Sequence, residues 1–140
     1  MSINRDVFDE LFVLEMANNH WGSLDRGKKI VDDFSKVVRY NGVRASIKMQ
    51  LRDVDTFIHP HHRHRTDVRY IKKTLDTKMS ADDFRELTAY IRKAGCIPTA
   101  TPFDERSVDF CQELELPMLK IASSDINDWV LIEKIATTRK

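Results

Sequence analysis

Glycine is scarce in this chain, with four among 140 residues. Too few are present to build a glycine-rich phosphate loop, which excludes the P-loop and dinucleotide-fingerprint classes. Cysteine is scarcer. Cys96 and Cys111 form neither a CxxC pair nor a secreted disulfide framework, and both are expected as reduced core residues. No apolar run approaches the about 20 residues that a membrane span needs. The opening stretch, MSINRDVFDELFVLEM, alternates charged and apolar residues and lacks the uninterrupted core of a signal peptide. A soluble, cytoplasmic protein is expected. Charge excess is also missing: 23 Lys plus Arg face 22 Asp plus Glu, so no overall field favours nucleic acid or membrane. Ser123-Ser124 lacks the flanking glycines of a nucleophile elbow.

What is present is alternation. Four short apolar runs are each followed by a helix-like stretch. Leu11 to Met16 leads through Asn18-Asn19-His20-Trp21-Gly22 to a helix capped by Ser23 and running to about Tyr40. Its stripe is Ile30, Val31, Phe34, Val37 and Val38, and Asn41-Gly42 ends it. Val43 to Gln50 is the second run, followed by an unusual polar insert, Leu51 to Thr77. Ser80-Ala81-Asp82-Asp83 opens the next helix, striped by Phe84, Leu87, Tyr90 and Ile91 and closed by Gly95. Cys96 to Thr101 leads into a helix over Asp104 to Glu115. Met118 to Ser123 precedes a last helix beginning near Asn127 or Asp128. Strands alternating with helices predict an α/β fold with a parallel sheet and right-handed crossovers. Four such units are half of a (β/α)₈ TIM-type barrel, which needs about 250 residues. A small open doubly wound sheet is the alternative, and composition does not separate the two.

The runs carry charge near their C-terminal ends. Glu15 interrupts the first. Lys48 and Gln50, two apart, face the same side of the second. Thr101 ends the third, and Lys120 and Ser123 lie in the fourth. Strands of a parallel barrel are covered on both faces, so a charge within one is cheapest when aimed into the barrel mouth, where active sites form. Two lysines with hydroxyls and an amide make a cradle for phosphate and carboxylate. The competing account is a Glu15–lysine ion pair that only fixes register.

At these residues the chain resembles the N-acetylneuraminate (sialic acid) synthase family. The matching stretches are Glu15-Met16-Ala17-Asn18-Asn19-His20-Trp21-Gly22-Ser23, Ile47-Lys48-Met49-Gln50, Ala100-Thr101-Pro102-Phe103-Asp104, Ser107-Val108-Asp109-Phe110 and Leu119-Lys120-Ile121-Ala122-Ser123-Ser124-Asp125. Their order and spacing agree with the family from about residue 11 onward. The resemblance implies a metal-dependent condensation of phosphoenolpyruvate with an N-acetylated amino sugar, giving a nine-carbon 2-keto sugar acid and phosphate. By the same resemblance Lys48, Thr101, Lys120 and Ser123 would hold phosphoenolpyruvate, with Glu15, Lys48, Gln50 and Lys120 at the reacting centre. Asp125 would stand near the sugar. A divalent metal, manganese or magnesium, would polarise the aldehyde, with ligands from strands beyond the fourth. The family's C-terminal antifreeze-like domain is absent from these 140 residues. Met16-Ala17 stands where relatives often have Ile-Gly, and Ser124 where Gly is common. The chain is therefore expected to be the N-terminal half of such a barrel over residues 1–140, inactive alone, with 51–77 as a lid-like insert.

Three features stay open. His59-Pro60-His61-His62-Arg63-His64-Arg65 reads as a solvated loop or lid rather than a zinc site, since no cysteine ligands accompany it. His20, beside the first strand's mouth, either touches ligand or braces its loop. Trp21 and Trp129 are expected to be buried against helices rather than to stack on ligand. Apart from an enzyme fragment, the sequence fits a non-catalytic half-barrel that homodimerises, or a related condensing enzyme with another acceptor sugar.

Overall fold

The computed structural model describes residues 7–140, and the first six residues of the charge-alternating opening stretch lie outside it. Strand β1 (Leu11–Ala17) is followed by α1 (Leu24–Asn41) and β2 (Arg44–Leu51). Short α2 (Val54–Phe57) and α3 (Arg69–Asp76) precede α4 (Ala81–Lys93), β3 (Ile97–Pro102), α5 (Glu105–Glu113) and α6 (Trp129–Thr137). The three strands form one parallel sheet in the order β1-β2-β3. The α/β expectation stands.

The helix ends follow local chemistry. Ser23 accepts the Arg26 N–H at the start of α1, and Gly42 closes it at φ 61°. Ser80 and Asp83 form a reciprocal capping box on α4, and Asp104 and Asp128 cap α5 and α6. One apolar face of the sheet, including Met16, Ile47, Met49 and Ala100, packs with Val31 and Val38 of α1, Leu87 and Ile91 of α4, and Cys111 of α5. Cys96 and Cys111 are buried free thiols in that core. Burial pushes the Cys111 thiol up to about 12, so it stays protonated.

Four expectations need correction. The fourth run does not form a ladder among the described residues. It makes a single parallel bridge, Ala100 to Leu119, with the Lys120 N–H donating to the Ala100 carbonyl at 2.9 Å. Pairing stops there because Ser123–Asp125 winds into a 3₁₀ turn, closed by the Asp125 N–H on the Ala122 carbonyl. The polar insert is not plain loop. It contains α2, α3 and a 3₁₀ turn at Pro60–His62. Its α3 carries a Lys72–Asp76 ion pair at i,i+4. Its far end lies so close to the first loop that a Cβ on Gly22 would stand 3.1 Å from the Asp76 carbonyl oxygen and 2.8 Å from that of Lys78 just beyond, and Gly22 has φ 71°. Both tryptophans are largely in solvent, Trp21 at 47% and Trp129 at 69% exposure. Helix α6 buries Leu131 and Ile135 instead, which leaves its first residue outward. Val37, on the edge of the α1 stripe, is 60% exposed, while Val31 and Val38 carry the burial.

Candidate functional site at the strand ends

Parallel pairing puts the polar strand residues in one patch. Glu15 sits opposite Lys48, and Lys48 opposite Thr99; Gln50 sits opposite Thr101. Side chains alternate along a strand, so these five share the face opposite the helix-packed core. Glu15, Lys48, Gln50 and Thr101 lie in the C-terminal halves of their strands, and Thr99 is third of the six residues of β3.

Lys48 and Glu15 form an ion pair, with Lys48 buried and Glu15 about half exposed. The second Glu15 oxygen accepts the Ala17 N–H at 3.0 Å. That bond spans an irregularity in β1, where the register shifts between Glu15 and Ala17 and Ala17 takes φ 49°. Glu15 therefore braces its own strand and holds the Lys48 ammonium at once. An ammonium has three donors, and the Glu15 bond uses one of them.

The other anticipated residues are distributed unevenly. Thr101 is buried, and its Oγ1 has no hydrogen-bond partner among the described residues. Thr99 donates instead to the Met118 carbonyl at 2.9 Å, fixing the fourth run against β3. Gln50 is half-buried and lines a narrow cleft with Asn18, Arg52 and Thr77. Asp125 is half-buried, with an enclosed Oδ2 lacking a partner among the described residues. The side chains of Lys120 and Ser123 are exposed. Neither Lys48 nor Lys120 lines any of the five most pronounced clefts among the described residues.

Of the two roles open to His20, its surroundings are those of a loop brace. It is fully buried, its Nδ1 accepts the Gly22 N–H at 3.1 Å, and its ring meets Phe84 edge-on at 5.9 Å. Burial lowers its pKa to about 4, so the ring is neutral at pH 7. The histidine cluster is exposed throughout. His59 Nδ1 accepts the His61 N–H, and the His59 ring lies 5.0 Å from His61 and 5.8 Å from His62. Among the described residues no three His, Cys, Asp or Glu side chains are grouped to hold a metal ion.

Arg52 escaped the sequence pattern. It follows β2 directly, its guanidinium carbon 3.9 Å from the Phe103 ring centroid and 5.2 Å from that of Phe57. Arginine two residues beyond Gln50 was the available signal. The polar character of the insert that it begins concealed it.

A parallel sheet with helices packed on one face and an in-register polar row on the other defines an α/β protein with a polar strand rim. Residues 40–140 match the NeuB family, and the chain belongs to that family. It is 33% identical over 91% of its length to an uncharacterized protein of Methanocaldococcus jannaschii, covering 35% of that protein. It is 26% identical over 89% of its length to human N-acetylneuraminate-9-phosphate synthase, again covering 35% of the relative. A solved structure from Chromobacterium violaceum, described as spore coat polysaccharide biosynthesis protein E, superposes with a TM-score of 0.87 at 35% identity. That match covers 91% of this chain and 38% of the other. The chain thus spans about a third of the length of the relatives it matches.

Proposed function

We propose that this chain is the N-terminal portion of a (β/α)₈ barrel in a phosphoenolpyruvate-dependent sugar-acid synthase. Its strand rim takes phosphoenolpyruvate, and the acceptor is an N-acetylated amino sugar. The observation that carries this is the face of the sheet holding Glu15, Lys48, Gln50, Thr99 and Thr101 in register, opposite a face packed by helices. A buried lysine facing away from the apolar core is costly as decoration and useful against a dianion. Family membership and the named human synthase support the same reaction class.

In this reading Lys48, Thr101, Lys120 and Ser123 hold phosphate and carboxylate. Glu15 orients the Lys48 ammonium, Gln50 lines the reacting centre, and Asp125 faces the sugar. The enol carbon of phosphoenolpyruvate forms the new bond to the sugar's aldehyde carbon, and phosphate leaves. A divalent metal would polarise that aldehyde, held by residues other than those described. Residues 51–77 form a lid-like insert that sets which sugar enters.

Because Lys120 and Ser123 stand in solvent, phosphoenolpyruvate binding by the 140-residue chain is expected to be weak, with a Kd on the order of 1 mM. Titration calorimetry of the purified chain should show that affinity falling about tenfold in Lys48→Ala, the loss expected from one charge-assisted contact. Equal binding by wild type and Lys48→Ala would sink the assignment of the rim. No 2-keto acid should form when phosphoenolpyruvate and N-acetylmannosamine are supplied. Product above the Lys48→Ala background would refute the claim that the chain does not turn over alone.

A second reading is favoured by β1, an edge strand on which Phe12 and Val13 are 57% and 52% exposed. Two half-barrels would pair such edges in a homodimer.

A further inference from the structure

We propose that Arg52 is the anion-receiving residue of this rim, taking the phosphate or carboxylate oxygens of a small-molecule ligand. The inference rests on the strand rim being a ligand site and adds a residue to it.

Its warrant is a set of unmade hydrogen bonds. A guanidinium carries five N–H donors in a rigid plane. The Arg52 side chain is half-buried, its Nε is fully enclosed without a partner, and among the described residues it donates no side-chain hydrogen bond. Enclosing the Nε–H this way forfeits a bond that water would supply. Stacking on Phe103 and Phe57 offsets part of that cost and fixes the plane, yet satisfies no N–H.

The nearby carboxylates do not fill the gap. The fields of Asp125 and Asp104 both reach the guanidinium, but neither forms an ion pair with it. The Asp104 oxygens are taken by the Ser107 N–H at 2.7 Å and the Asp53 N–H at 2.8 Å. Asp125 keeps one enclosed oxygen without a partner among the described residues.

Space is available there. Clefts of about 310 and 340 Å³, together with a narrow one shared with Gln50, are all lined by Arg52. Lys48 spends one of its three donors on Glu15, whereas Arg52 spends none on a side chain or backbone group among the described residues. A stacked guanidinium with free N–H edges matches a two-oxygen anion in bidentate fashion. Phosphoenolpyruvate and a phosphorylated amino sugar both present that chemistry.

Calorimetric titration of the full chain with inorganic phosphate, phosphoenolpyruvate and glucosamine 6-phosphate tests this, using wild type, Arg52→Gln, Arg52→Lys and Lys48→Ala. Arg52→Gln should weaken at least one of these ligands about tenfold, and Arg52→Lys should not restore it, since an ammonium cannot bond in two places from one plane. The ligand that loses affinity identifies the source of the anion. Arg52→Lys keeps charge and stem and covers the case in which Arg52→Gln does not fold. Binding of all three ligands by both Arg52 variants at wild-type affinity would overturn the proposal, as would full rescue by lysine or no binding to wild type at millimolar ligand. If Lys48→Ala alone loses phosphoenolpyruvate, Arg52 is the part that fails and the proposed function survives.

Discussion

His20 shows how a residue with site chemistry becomes a structural one. Fully enclosed against Phe84, with Nδ1 committed to Gly22, its ring can gain a proton only by charging in a dry place. Its folded pKa of about 4 lies below the ordinary imidazole value of 6.5. Between those values the unfolded chain binds the extra proton, so stability is full above about pH 6.5 and is lost as pH falls towards 4. The loss is on the order of 3 kcal/mol at most. Urea unfolding at pH 7 and pH 4.5 should show a fall in midpoint that is smaller in His20→Gln. An identical fall in both proteins would show that other groups dominate. The Glu15–Lys48 pair is the opposite case: a salt bridge legible as charge within apolar runs, whose second role in bracing the Ala17 irregularity no spacing rule could supply.

At the scale of elements, the seam between α1 and α4 holds the helical layer over the sheet. Gly27 of α1 lies so close to Leu87 of α4 that an added Cβ would meet both Leu87 methyl carbons at 3.2 Å. Leu87 is fully buried, and across the same seam Tyr90 donates to Asp32 at 2.9 Å. Leu87→Ala should therefore cost about 2–5 kcal/mol, read as a lowered denaturant midpoint at unchanged slope. A change below about 0.5 kcal/mol would mean that the seam is not packed as described. The caps of these helices could be read directly from Ser23, Gly42 and Ser80, because capping is chemistry within three or four residues. The helices of the insert could not, because nothing within 51–77 announces that Gly22 will meet its far end.

The whole molecule is a parallel sheet finished on one side only. β1 is an edge strand, the segment after Pro117 adds one bridge, and α6 turns Trp129 and Val130 outward at 69% and 64% exposure. Unpaired strand edges and exposed apolar side chains favour association. Sedimentation velocity of the purified chain should show self-association that grows with concentration. A monodisperse monomer unfolding in one cooperative step would count against both the homodimer and the half-barrel.

The sequence by itself determined the β/α alternation, the helix caps, the reduced core cysteines and the polar strand positions from Glu15 to Thr101. Each follows from local periodicity or short-range hydrogen bonding. Only the tertiary structure decided that the fourth run stops after one bridge, that His20 is sealed inside, that both tryptophans face solvent, and that Arg52 lies stacked with its Nε enclosed and unpartnered. Those outcomes depend on which distant surface arrives beside a residue, and burial and pairing are set by that neighbour rather than by the residue's own type.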